Sequence, residues 1–251
     1  MAKRILQVLA VVAAAAGILA LLFWAVKTKK LQVNRWVVGD NDTIGVDISE
    51  YQAEVDMEVL AAQNVQFIYM KATEGSGFTD SRFADNWAAA KACGIPAGAY
   101  HFFSFDSPGK MQAQNYIETV GSLEAGNLIP AVDVEFYADK RNNPPDEEEL
   151  VRELSDFLDA LEKEYKVKPM IYAPREIWEK YLFGNFDEYP RWVRSIYYPV
   201  TFETGGNWVL WQYCDTGELE GYYGGERYID LDVLHRGKEI DEITIGGSQS
   251  H

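Results

Sequence analysis

The chain has 251 residues, of which 47% are hydrophobic and 25% charged, with a formal net charge of −16. That balance excludes wholesale disorder, and the acidic excess excludes nonspecific binding to nucleic acid. Two cysteines and three histidines exclude a disulfide-rich scaffold, a Cys-based zinc ribbon and a His-rich metal site.

The first element is an uncharged run over residues 5–26, ILQVLAVVAAAAGILALLFWAV. As a helix it extends about 33 Å, enough to cross a hydrocarbon core of about 30 Å. Lys3 and Arg4 precede it, and Lys27, Lys29 and Lys30 follow it. The run is longer than a signal-peptide core of about 7–15 residues and ends without a clean small-residue cleavage site. An uncleaved membrane anchor is therefore favoured over a cleaved signal, which would release a secreted protein. Basic residues on both flanks nearly cancel as a topology signal. Beyond residue 30 the chain carries 18 basic and 39 acidic residues, net −21, and a long domain of that charge is compatible with translocation. The expected organisation is an anchor over 1–30, a spacer over 31–43, one barrel domain over 44–245 and a flexible tail over 246–251.

After the spacer, runs rich in β-branched and aromatic residues alternate with helical patterns. Strands are expected at Ile44–Ile48, Phe67–Lys71, Ala97–Phe102, Ile129–Glu135, Pro169–Ala173, Arg191–Ile196, Trp208–Tyr213 and Tyr228–Val233. Helices are expected near 55–63, 80–92, 109–121, 146–165 and 175–182. The clearest has Leu150, Val151, Leu154, Phe157, Leu158 and Leu161 on a 3.6-residue period. It begins after Asn143-Pro144-Pro145, with Asp146 and Glu149 spaced as a capping box. Strand–helix alternation predicts a parallel sheet. Eight strands predict an α/β, TIM-like barrel, preceded by one N-terminal transmembrane helix, with full helices after the first five strands and loops among the last three. Cys93 and Cys214 fall at opposite ends of such a barrel, so no disulfide is expected between them. No histidine is evidently placed to activate Cys214 as a nucleophile.

Acidic residues avoid strand interiors, yet here they cluster at the carboxyl ends of three predicted strands. Asp47 ends the first, Asp133 and Glu135 end the fourth, and Asp230 and Asp232 lie in the eighth. Parallel barrels build their sites at that end. Positions i and i+2 share a face about 6.6 Å apart, so Asp133 and Glu135 both project into the mouth while Val132, Val134 and Phe136 face the helices. Two carboxyls that close repel, and one holds its proton to a higher pH. The first and eighth strands meet at the barrel seam, opposite the fourth. Acids on both sides of one cleft suit glycosidic cleavage, which needs a proton for the leaving oxygen and negative charge near a developing oxocarbenium ion. An isolated acid of this kind reads better as a turn or cap. A carboxylate site for Mg²⁺ or Ca²⁺ ranks below catalysis, and no metal or cofactor is expected.

In chain order the sequence carries Gly45-Val46-Asp47-Ile48-Ser49, Phe67-Ile68-Tyr69-Met70-Lys71-Ala72-Thr73-Glu74-Gly75, Gly98-Ala99-Tyr100-His101-Phe102 and Asp133-Val134-Glu135. Ile171-Tyr172, Trp211-Gln212-Tyr213 and Ile229-Asp230-Leu231-Asp232 follow. In these blocks, from about Ile44 to Leu234, the chain resembles glycoside hydrolase family 25, the Chalaropsis-type lysozymes. The resemblance implies a (β/α)5(β)3 barrel that hydrolyses the β-1,4 bond between N-acetylmuramic acid and N-acetylglucosamine in peptidoglycan. It implies Glu135 as general acid and Asp133 as the group that supports the transition state or orients the substrate acetamido group. Asp47 and Asp230 would complete the acidic site, and Lys71, Tyr100, Tyr172 and Trp211 would line the groove. Two positions depart from the family pattern. Arg194 in Trp192-Val193-Arg194 stands where a small residue is common, and is either a surface charge or a substrate contact. Asp232 replaces a frequent Asn, adding charge beside Asp230.

The expected partners are peptidoglycan glycan strands and, through residues 5–26, a membrane; the barrel would lie outside the inner membrane, and a monomer is favoured. Two other readings compete. A chitinase-type barrel also carries an Asp-x-Glu on its fourth strand, but Ile129, Pro130, Ala131 and Val132 interrupt the longer acidic ladder of those enzymes. A catalytically silent wall-binding module would not need both Asp133 and Glu135.

Overall fold

Runs of Val, Ile, Phe and Tyr fold as strands where every second side chain has an apolar face to enter. In the computed structural model, which describes residues 1–200 and 208–247, nine such strands form. They are β1 (Ile44–Ile48), β2 (Phe67–Glu74), β3 (Phe78–Thr79), β4 (Ala97–Phe102), β5 (Ala131–Asp133), β6 (Met170–Pro174), β7 (Arg191–Arg194), β8 (Leu210–Gly217) and β9 (Ile229–Leu234). Their order is β1-β9-β8-β7-β6-β5-β4-β2, and pairing of β1 with β2 closes an eight-stranded barrel. β3 is a short antiparallel addition to the end of β2. β5 is shorter than the predicted 129–135 run because Pro130 has no N–H to donate. The ladder nevertheless reaches past it, since Val134 N donates to the Tyr172 carbonyl at 2.9 Å.

Helix α1 (Ala2–Lys27) precedes the barrel. The helices α2 (Met57–Ala62), α3 (Phe83–Cys93), α4 (Gly109–Val120), α5 (Glu147–Tyr165) and α6 (Arg175–Ile177) cover its outside. The last of these passes into one turn of π-helix at Trp178–Leu182. α5 starts where Asp146 accepts the Glu149 amide at 3.0 Å. The box is only half made, because the Glu149 carboxylate turns to Arg152 at 3.6 Å. Leu150, Leu154, Phe157, Leu158 and Leu161 form its buried stripe. α4 crosses α5 at Gly109, where any Cβ would stand 1.8 Å from the Glu153 carbonyl oxygen.

Alternation along the strands separates two cores. Val46, Ile68, Val132, Ile171 and Val193 lie in the cluster under the helices. Phe67, Tyr69, Met170, Tyr172, Trp192, Leu210 and Leu234 fill the barrel itself, as layered side chains do in closed barrels.

Two features differ from the sequence reading. First, β9 runs antiparallel to both β1 and β8. The 11 residues between β8 and β9 are too few for a parallel return, which needs a crossover of about a dozen residues or more. Asp230 therefore approaches the mouth from the amino-terminal end of its strand, not its carboxyl end, and Asp232 lies deeper. Second, the expected spacer over 31–43 is packed on the barrel. The Asn34 side chain, 1% exposed, donates to the Ser195 carbonyl at 2.8 Å and the Tyr213 carbonyl at 2.9 Å. Gln32 Nε2 donates to Thr216 Oγ1 at 2.6 Å. Residues 248–251 of the expected tail, and 201–207 between β7 and β8, lie outside the described residues. Cys93 and Cys214 are both free thiols.

A docked strap makes Asn34 a stabilising residue. Asn34→Ala removes two buried hydrogen bonds, at about 1 kcal/mol each, and should lower the Tm of the full chain in detergent by about 4–8 °C. A free spacer would leave the Tm unchanged.

Candidate active site

The carboxyl ends of the parallel strands open on a cleft of about 320 Å³, lined among others by Asp47, Lys71, Tyr100, Asp133, Glu135, Tyr172, Gln212, Asp215 and Asp230. β1 supplies Asp47, which sits in register with Asp230 of β9 across the seam. β5 supplies Asp133, and Glu135 follows just beyond its end. Val132 and Val134 are buried in the helix-side cluster and Phe136 packs against it, so the expected alternation holds through this segment. The four predicted acids thus share one open mouth. A larger depression, of about 730 Å³, includes Lys168, Glu188, Lys238 and Glu242. There Lys168 pairs with Glu188 and Lys238 with Glu242, and none of the four predicted acids is present.

The floor of the mouth is aromatic and hydrogen-bonded. Trp192 packs against Tyr69 and Tyr172 with ring centroids 4.9 Å and 5.0 Å away. The Tyr172 hydroxyl donates to Gln212 Oε1 at 3.0 Å, and Gln212 Nε2 donates to Asp47 Oδ2 at 2.7 Å. This relay ties β6 through β8 to the carboxylate of β1. Lys71 pairs with Glu74 at 2.6 Å, and its ammonium lies 4.9 Å from the Phe102 ring centroid.

Three predicted site residues do not line the cleft. Trp211 is on the outer face of β8, 2% exposed, where its indole N–H donates to the Ser195 carbonyl at 2.8 Å. Asp232 is fully buried beneath the site, and its Oδ1 accepts the Trp192 indole N–H at 2.7 Å. Arg194 stands at the rim, 31% exposed, with its guanidinium 3.1 Å from Asp215 Oδ2.

Gln212 and Asp215 were absent from the predicted set. Strand alternation reveals Gln212 once Trp211 is known to face outward. Asp215 escapes that rule, because the β8–β9 register shifts between Gln212 and Cys214. An irregularity of this kind moves later residues to the other face. Phe102 and Tyr228 also line the cleft, each two residues from a predicted site residue, Tyr100 and Asp230, so the same-face spacing marks them.

A family model described as Glycosyl hydrolases family 25 matches residues 46–222. The chain belongs to glycosyl hydrolase family 25. A solved family 25 glycosyl hydrolase from Bacillus anthracis matches with a TM-score of 0.73 at 41% identity, covering 80% of this chain and 93% of that one. Lysozyme M1 of Streptomyces globisporus is 27% identical over 205 residues, 74% of this chain and 68% of its own. YegX of Escherichia coli strain K12 is 32% identical over 208 residues, 81% of this chain and 73% of its own.

Electrostatics in this family 25 hydrolase are set by crowding of acids away from water. Burial raises the Glu135 pKa, Arg194 opposes that rise, and Asp47 adds to it. Burial and then the Glu135 and Asp47 charges hold Asp133 well above the usual carboxylate range. Asp230 is raised well above it by burial, Asp47 and Asp215. Asp47 rises less steeply, because the Gln212 hydrogen bond favours its charged form. Burial and then the Asp47 charge also hold Asp232 well above the range, against the Trp192 hydrogen bond.

Asp232 therefore keeps its proton to a higher pH when folded than when unfolded. The folded state binds more protons, so stability falls as pH rises from the ordinary carboxylate range through the raised pKa. Asp232→Asn removes that loss and keeps an acceptor for Trp192. The Tm of the variant relative to wild type should grow between about pH 4 and about pH 7, by about 2–4 °C per kcal/mol. Calorimetry reads the difference, and a flat or shrinking one would contradict the assignment.

Proposed function

We propose that this hydrolase cleaves the β-1,4 bond between N-acetylmuramic acid and N-acetylglucosamine in peptidoglycan, with Glu135 as general acid. The observation that carries the reading is the convergence of Asp47, Asp133, Glu135 and Asp230 on one open cleft. The lysozyme among its relatives supports the substrate. The barrel is assigned the (β/α)5(β)3 plan. Helices after β1, β2, β4, β5 and β6, and an antiparallel last strand, support that plan.

The chemistry follows from unequal environments. A general acid must hold its proton near the working pH and release it to the leaving oxygen. Glu135 is half-buried, and it is raised by burial but moderated by Arg194. Asp133 lies deeper and is raised further. Its Oδ1 is buried without a hydrogen-bond partner among the described residues. Asp47, whose charged form Gln212 favours, lies where negative charge would stabilise an oxocarbenium-like transition state. Tyr100 offers a ring and a hydroxyl to the sugar, Tyr172, whose hydroxyl is held by Gln212, offers its ring, and Lys71 supplies a cation at the same wall.

Arg194 is assigned a tuning role: its charge lowers Glu135, Asp133, Asp47 and Asp230 alike. Helix α1 is assigned as an uncleaved anchor, with the barrel outside the membrane. Its length and apolar composition suit a span.

Mass analysis of muropeptides after digestion should show new reducing ends at N-acetylmuramic acid. Glu135→Gln should lower kcat by on the order of 10³-fold with the fold intact; normal turnover would remove the general-acid assignment. Arg194→Ala should move the alkaline limb of kcat/KM to higher pH, because Glu135 then keeps its proton longer. A raised KM with an unmoved limb would make Arg194 a substrate contact instead.

A further inference from the structure

The anchor joins the barrel at the rim of the catalytic mouth, not at its base. The first 24 residues of the chain, most of α1, are exposed; only near the helix end do Ala25 and Val26 become half-buried. The connection has no slack. Thr28 caps the helix, its amide donating to the Trp24 carbonyl at 2.9 Å, and Lys29 turns the chain with a left-handed φ of 58°. Lys29 Nζ then lies 2.6 Å from Asp215 Oδ2, and Asp215 is part of the cleft wall. One lysine side chain therefore spans the gap between the end of the helix and the active site.

The contacts that follow fall at the same end of the barrel. Gln32 reaches Thr216, and Asn34 reaches the carbonyls of Ser195 and Tyr213. Ser195 directly follows β7, Thr216 lies next to the last residue of β8, and Tyr213 lies at the middle of that strand. Around this junction are side chains typical of a membrane–water interface. Lys27 Nζ stands 4.6 Å from the Tyr197 ring centroid, and Lys30 Nζ 4.5 Å from that of Trp24. Tyr198, whose ring centroid lies 6.4 Å from that of Tyr197, is 41% exposed.

We propose that the strap holds the mouth at the bilayer surface, so that the enzyme prefers glycan strands still attached to a lipid carrier in the same membrane over mature wall held away from it. The lipid headgroup layer is the occupant of the Lys27–Tyr197–Tyr198 cluster at the helix end, and membrane-tethered glycan is the substrate class. This rests on the hydrolase and anchor readings above.

The test uses the full chain in phosphatidylethanolamine–phosphatidylglycerol vesicles. Three substrates are compared: lipid-linked, uncross-linked glycan oligomers in the same vesicles, isolated sacculi, and short soluble glycan fragments. The variant carries 20 Gly/Ser residues between Thr28 and Lys29. This leaves the contacts of Lys29, Gln32 and Asn34 with the barrel in place but frees the barrel from the helix by about 25 Å. Wild type should favour the lipid-linked substrate over sacculi, and the insertion should reduce that ratio by roughly tenfold while soluble fragments are cut equally by both proteins. An unchanged ratio, or wild type cutting sacculi as fast as lipid-linked glycan, would overturn the proposal. Failure to float with vesicles would overturn it through the anchor reading. Absence of new reducing ends from all three substrates would overturn it through the hydrolase reading.

Discussion

Carboxyl groups held out of water against one another are the constraint on which the rest of the molecule depends. Five of them, Asp47, Asp133, Glu135, Asp230 and Asp232, have raised pKa values, and burial is the leading cause each time. Such a group costs stability whenever it ionises, and a loose scaffold would relieve the cost by opening. The closed barrel prevents this. Strand pairing fixes Asp47 opposite Asp230, the Tyr172–Gln212 relay fixes Asp47 from below, and Trp192 fixes Asp232.

The compensating charge is sparse and placed with economy. Arg194 lowers four of the five acids without sitting among them, because Asp215 holds its guanidinium at the rim. Asp215 in turn carries two cations, Arg194 and Lys29. The cleft wall thus ends in an alternating chain of charges, with one end at the cleft acids and the other at the end of helix α1. Partly buried networks of this kind are screened less by salt than isolated surface pairs.

Much of this was legible in the sequence, for physical reasons. Periodicity exposes α5 because one face must be apolar, and strand-borne acids stand out because they are costly there. Asp133 and Glu135 could be placed on one face from a spacing of two. What escaped were properties that need a third dimension. The direction of β9 depends on the length of a loop, and the outward aspect of Trp211 on which face of β8 meets the helices. The cleft position of Asp215 depends on a break in pairing. The docked strap was hidden because a single buried amide, Asn34, carries much of it, and a polar residue in a polar stretch gives no signal of burial.

The antiparallel last strand has a consequence for how the chain reaches its native state. β1 is the first strand made, yet one of its two edges is satisfied only by β9, the last. At the base of that seam the Leu234 amide donates to the Thr43 carbonyl at 3.0 Å, so opposite ends of the domain are stitched together. Contacts so distant along the chain form late and slowly. Until β9 is made, the nascent β1 edge stays open, and unpaired edges recruit other chains. Closure of this seam is thus the event that covers the last open edge of β1.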